Sequence, residues 1–138
     1  MPYVRLYYHI VWATRDRQPI IKGNVARIAE VAIRAACRDV EAQVFAFGAM
    51  PDHVHLAVSI PPKLAVATVV GRVKGASSHA INAAQPDRPE PFAWQAEYGA
   101  LSFGLRALND VVAYVNDQPR RHANRQIFHA LERWGEPS

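Results

Sequence analysis

Cysteine is almost absent from this chain, and so are long apolar runs, internal repeats and low-complexity segments. Cys37 is the only cysteine among 138 residues, which excludes an intrachain disulfide and a cysteine-based zinc cluster. No apolar stretch approaches the roughly 18 residues that a membrane-spanning helix requires. The amino terminus enters a strand-like pattern without the cleavage site of a signal peptide. We therefore expect a cytoplasmic protein with no membrane partner.

The composition is that of one globular domain with a basic surface. Hydrophobic residues make up 50% of the chain and charged residues 20%. A chain of this length buries roughly two-thirds of its unfolded surface, so a single domain over residues 1–138 is expected. The formal net charge is +4 and the pI about 9.6. This balance favours an anionic partner, although many small basic proteins bind no nucleic acid.

The order of periodic segments predicts the fold class. Apolar and polar residues alternate in four segments, which are read as strands: about 4–13, 43–49, 53–60 and about 97–103. Helical periodicity covers about 24–39 and about 64–84, and again around Tyr114 and through Phe128, Leu131 and Trp134. Strand, helix, strand, strand, helix, strand is the split βαβ order of ferredoxin-like α+β domains. We expect an antiparallel sheet with helices on one face, its other face open, and a further carboxyl-terminal helix.

Two histidines flank a valine in the third predicted strand, directly after the Pro51-Asp52 turn. Side chains at i and i+2 of a strand project from the same face, so His53 and His55 stand side by side. Two imidazoles so placed can bind one metal ion, although a catalytic site needs a third ligand from elsewhere. Histidine on a half-exposed strand face is also ordinary, so the pair alone does not decide. Alternation places His9 on the same open face.

A second element lies downstream, where apolar residues follow helical spacing from Leu108 to Val115. Tyr114 and Gln118 are four residues apart and are neighbours on one stretch of helix surface. A phenol and an amide oxygen would therefore point together. Each has an ordinary alternative, because a helical tyrosine is usually a core residue and a glutamine usually a surface amide.

Together these motifs resemble the TnpA-type single-tyrosine transposases of bacterial insertion sequences and their REP-associated relatives, which are HUH enzymes. His53-Val54-His55 matches the HUH motif, and Tyr-Val-Asn-Asp-Gln at 114–118 is similar to the catalytic helix. Three further landmarks occur in the expected order: residues 8–14, 74–78 and 94–100. Any one motif is weak, but their joint order is specific.

The resemblance implies a chemistry and a set of partners. Tyr114 would be the nucleophile, and His53, His55 and Gln118 would bind Mg²⁺ or Mn²⁺. The expected reaction is nicking and strand transfer of single-stranded DNA through a 5′-phosphotyrosine intermediate, at ends that carry hairpins. The resemblance also implies a homodimer, in which the tyrosine helix can act within one subunit or across two.

Cationic and polar side chains flank the predicted site and are the candidates for DNA binding: Arg72, Lys74, Ser78, Arg120 and Arg121. A solvated charged face explains the same residues. Two other functions stay open. A catalytically silent nucleic-acid binding module would keep the fold and the basic surface, and a metal-dependent hydrolase would use water as its nucleophile, with Tyr114 merely structural.

Overall fold

Residues 5–117 are described by the structure, a computed structural model of the chain. Within them lie four strands and three α-helices, which are β1 Tyr7–Ala13, α1 Asn24–Asp39, β2 Gln43–Met50, β3 His53–Ser59, α2 Val66–Ala84, β4 Gly99–Phe103 and α3 Leu108–Asn116. These bounds follow the predicted ones closely, with β1, α2 and β4 each beginning two or three residues later. The helix predicted through Phe128 lies outside the described residues. No helix within residues 5–117 has the length and hydropathy needed to span a bilayer.

The strands form one antiparallel sheet in the order β2, β3, β1, β4, so β3 and β1 are central. In this register Ala13 is paired with His53 and Val11 with His55. Together with the crossing helices this order is the ferredoxin-like α+β arrangement. The predicted fold class is therefore confirmed.

The main core lies between one face of the sheet and helices α1 and α2. Alternate residues of the central strands point into it, namely Ile10 and Trp12 of β1 and Val54, Leu56 and Val58 of β3, all fully buried. Cys37 of α1 joins this core and is completely buried, as the sequence suggests. Burial raises the pKa of the Cys37 thiol to about 11, despite the opposing charge of Arg34, so the thiol is unreactive at neutral pH.

Helix α3 packs on the opposite face of the sheet, against β2 and β3. Its buried residues Val111, Tyr114 and Val115 contact Ala46 of β2 and Ala57 of β3. Alanine leaves space for a close approach of the helix, and its apolar stripe is thereby removed from water. The expectation that this face stays open is therefore wrong where α3 lies. The side chains of β1 and β3 that point this way are covered instead of exposed.

Candidate active site

The two histidines of β3 lie side by side beneath α3. Strand alternation directs His53 and His55 to this face, and their ring centroids are 5.1 Å apart. They are 3% and 0% exposed. The Nε2 atoms of both rings are buried. The structure thus brings the predicted pair together, but in an enclosed position and not on an open sheet surface.

Tyr114 of α3 reaches the same place within one chain. Its ring lies edge-on to His55 and to His9, with centroids 5.8 Å and 5.6 Å away. The side chain is 2% exposed. A helix-borne phenol, 59 residues beyond His55 by subtraction of their numbers, therefore packs against the histidine pair. The structure therefore brings the predicted tyrosine into contact with two of the site's histidines.

His9 of β1 is a third imidazole in this cluster, 3% exposed. Its Nε2 atom lies 2.9 Å from Nδ1 of His55, a hydrogen-bond distance. The strand register explains the contact, because His9 is paired with Ala57 and is diagonal to His55 on the same face. If His55 donates through Nδ1–H and His9 accepts, Nε2 of His55 carries the lone pair that a metal needs.

Asp52 fixes the other histidine. The Nδ1–H of His53 donates to Oδ1 of Asp52 at 2.7 Å. Arg17 binds the second carboxylate oxygen, with Nε and Nη2 each 3.0 Å from Oδ2. Burial acts to raise the pKa of Asp52, but the hydrogen bonds and charges of His53 and Arg17 outweigh it and hold that pKa at about 2. The carboxylate is ionised at neutral pH and can only accept hydrogen bonds.

These contacts suit a two-histidine metal site. Carboxylate or imidazole partners on Nδ1 leave Nε2 as the coordinating atom of each ring, the usual arrangement around bound metals. Within residues 5–117 no group of three or more histidine, cysteine, aspartate or glutamate side chains is arranged to hold a metal ion. A complete site therefore needs a further ligand of another kind or from the rest of the chain. The predicted third ligand, Gln118, lies just outside the described residues.

The candidate DNA-binding residues are placed in different ways. Arg72 is exposed on α2. Lys74 donates through Nζ to three backbone carbonyls, those of Gln95, Ala96 and Glu97, and its burial lowers the pKa of its ammonium group. Ser78 donates to the carbonyl of Gly75 one turn earlier at 3.2 Å. Arg120 and Arg121 lie outside the described residues.

Sequence reasoning missed the roles of Asp52 and Arg17. Asp52 was interpreted only as part of a turn, although its position directly before the His-x-His motif is a usable signal. Arg17 carried no such signal, because it stands 35 residues from Asp52 in the chain. The contact arises from the pairing of β1 with β3, which brings the turn after β1 beside the start of β3.

Comparison with known proteins places the chain among transposases. It belongs to the family described as Transposase IS200 like, whose model matches residues 2–118. The chain is 30% identical over 122 residues to the ISDra2 transposase TnpA of Deinococcus radiodurans, which covers 83% of this chain and 84% of that protein. It is 32% identical over 71 residues to the IS200 transposase of Salmonella typhimurium, about half of each chain. The resemblance to the transposase family is thereby confirmed.

Solved structures agree with this assignment. A Deinococcus radiodurans R1 protein, crystallised as a candidate transposase, aligns with a TM-score of 0.69 at 25% identity and covers 91% of this chain and 95% of its own. A REP-associated tyrosine transposase bound to a REP hairpin aligns with a TM-score of 0.67, covering 99% of this chain and 86% of its own. Identity with the second protein is 16%, so that likeness shows the fold alone.

Proposed function

We propose that this transposase nicks single-stranded DNA next to hairpins and transfers the strand through a covalent 5′-phosphotyrosine on Tyr114. The observation that carries the proposal is the packing of Tyr114 against His9 and His55, beside the buried pair of His53 and His55. The structural neighbour bound to a REP hairpin, a REP-associated tyrosine transposase, supports hairpin DNA as the proposed substrate class. Family membership supports transposition as the biological outcome.

His53 and His55 would hold a divalent ion through Nε2, with Gln118 as the third ligand. A bound Mg²⁺ or Mn²⁺ would supply Lewis-acid stabilisation of the negative charge on the scissile phosphate. The partners on Nδ1, Asp52 and His9, keep both rings oriented for this role. The amide oxygen of Gln118 and the phosphate oxygens of DNA would suit either Mg²⁺ or Mn²⁺.

Tyr114 contributes the nucleophile. Its phenolate oxygen forms a bond to phosphorus while the bond from phosphorus to the 3′ oxygen breaks, which leaves a 5′-phosphotyrosine and a free 3′ hydroxyl. The phenol proton leaves to solvent, and the departing oxygen takes up a proton in its place. Because the phosphodiester energy is conserved, a different 3′ hydroxyl can attack the intermediate and rejoin strands without a nucleotide cofactor.

The proposed DNA contacts do not all lie on the face of the sheet that carries the histidines, because Arg72 belongs to α2, which packs on the opposite face. Arg72, Arg120 and Arg121 are the proposed phosphate contacts, whereas Lys74 and Ser78 would contact phosphate only by giving up the backbone carbonyls that they bind in this structure. We infer a homodimer acting in the cytoplasm, as the family resemblance implies. His53, His55 and Tyr114 are all buried, so a phosphate would reach them only after the site opens.

Strand transfer is tested with labelled single-stranded hairpin DNA and a second strand that carries a free 3′ hydroxyl. The proposal predicts a joined product that requires Mn²⁺ or Mg²⁺ and disappears with chelator. Metal-dependent cutting that gives only shorter fragments, and persists in Tyr114→Phe, would support a hydrolase instead. Tight hairpin binding without cutting, across DNAs taken from both flanks of the gene, would support the silent binding module.

A further inference from the structure

The turn between β1 and α1 carries a side chain that reaches back to the metal-binding histidines. Arg17 lies in this turn and is 17% exposed at its side chain, while Asp52 is 27% exposed. Nε and Nη2 of Arg17 both contact the same carboxylate oxygen of Asp52, Oδ2. The other oxygen, Oδ1, is bound by His53. Each oxygen of the carboxylate thus has its own partner.

The backbone of this turn is held in an uncommon conformation. Asp16 and Arg17 have φ angles of 58° and 52°, the left-handed region that residues other than glycine seldom adopt. Such conformations persist only where surrounding contacts over-determine them, and they concentrate at functional sites. Here Thr14 ties the turn to Asp52, since its N–H donates to the Asp52 carbonyl at 2.9 Å. Its hydroxyl binds the Gln18 carbonyl at 2.7 Å.

We propose that Arg17 and Asp52 form a positioning pair that holds His53 with Nε2 directed to the metal. The inference rests on the proposed metal-dependent function. Asp52 accepts from Nδ1–H and so selects the tautomer whose Nε2 lone pair is available. Arg17 retains the carboxylate in that orientation. Without Arg17, Asp52 is free to rotate away from His53 or to compete with it as a metal ligand.

Arg17 acts on the carboxylate and not on the imidazole. Its Nη2 atom is 3.5 Å from Nδ1 of His53, but both nitrogens carry protons when Asp52 accepts from the ring, so this approach is not a hydrogen bond. The guanidinium geometry therefore matters as well as its charge. A lysine at this position keeps the charge, but its single nitrogen cannot reproduce the contact that two guanidinium nitrogens make with one oxygen.

The test measures Mn²⁺ binding to the full chain without DNA, using titration calorimetry. We expect Arg17→Met and Asp52→Asn each to weaken Mn²⁺ binding by roughly tenfold or more, with Arg17→Lys partly restoring it. Arg15→Met is the matched control, because Arg15 lies in the same turn and is exposed, and it should bind Mn²⁺ as tightly as wild type. The affinity for hairpin DNA, measured with all divalent metal chelated, should change less than about twofold in every variant.

A second readout covers variants that fold poorly. In nitrogen NMR of the metal-free protein, His53 should be protonated at Nδ1 in wild type and should lose that single tautomer in Arg17→Met, with Arg17→Lys intermediate between the two. Wild-type affinity in Arg17→Met, or a His53 tautomer that does not change, would overturn the positioning role while leaving the proposed function intact. If wild type itself binds no Mn²⁺, the proposed function fails and not merely this inference.

Discussion

At the scale of single residues, the site depends on which nitrogen of each histidine carries the proton. His53 is fixed by a carboxylate and His55 by a second imidazole, that of His9. A neutral imidazole is the weaker partner, since it has no net charge with which to orient the ring. The two proposed metal ligands are therefore held by unequal means.

Replacement of His9 tests this arrangement. In His9→Phe an aromatic ring remains beside Tyr114, but the hydrogen-bond partner of His55 Nδ1 is lost. We expect Mn²⁺ affinity to fall roughly tenfold, with unfolding by urea showing that the fold persists. His79→Gln is the control, because His79 is exposed on α2. An unchanged Mn²⁺ affinity in His9→Phe would show that His9 only fills space.

At the scale of elements, α2 presents two cations with different surroundings. Arg72 is exposed to solvent, whereas Lys74 binds three carbonyls of residues 95–97 and so attaches that segment to the helix. Trp94, the residue before this segment, is also attached to α2, because its indole N–H donates to Ser77 at 2.9 Å. Lys74 is thus already engaged within the fold.

Paired substitutions on α2 separate stability from DNA binding. Lys74→Met should lower the free energy of unfolding by about 1 kcal/mol, because several carbonyls lose a charged donor but part of the site can take up water. Arg72→Met should leave stability within about 0.5 kcal/mol and reduce the salt dependence of hairpin binding by about one phosphate contact. The opposite result, stability retained and salt dependence lost in Lys74→Met, would favour the phosphate role inferred from sequence.

Local patterns predicted most of the elements, because their information is carried by neighbouring residues. Alternation in β1 and β3 assigned Ile10, Trp12, Val54 and Leu56 to the core and His9, His53 and His55 to the other face, as observed. The position of α3 could not be predicted in this way. Its packing on Ala46 and Ala57 depends on contacts between distant segments, and it brings Tyr114 against His9 and His55. The contact between Arg17 and Asp52 was missed for the same reason.

At the scale of the whole molecule, one chain supplies every described part of the site. β1 contributes His9, β3 contributes His53 and His55, and α3 brings Tyr114 against them. A homodimer could instead exchange α3 between subunits, so that each site combines two chains. Within the single chain Tyr114 already packs against His9 and His55, so we take the site built from one subunit as the arrangement to be tested.

Subunit mixing distinguishes the two arrangements. Tyr114→Phe and His53→Gln are each expected to be inactive alone. If each site is built from one chain, mixing the two variants after joint refolding restores no strand transfer. Recovery of activity in the mixture would show that the tyrosine of one subunit completes the histidine pair of its partner. Circular dichroism and hairpin binding confirm that both variants are folded.

The most direct measurement is the mass of the protein after it has been incubated, folded, with hairpin DNA and Mn²⁺. The mass is recorded under denaturing conditions, so that only covalently attached DNA remains. We expect an added mass equal to that of the 5′-phosphorylated strand downstream of the cut less one water, absent with chelator and absent in Tyr114→Phe. Digestion should place the modification on the peptide that contains Tyr114. An adduct on another residue, or one that persists in Tyr114→Phe, would contradict the assignment of Tyr114 as the nucleophile.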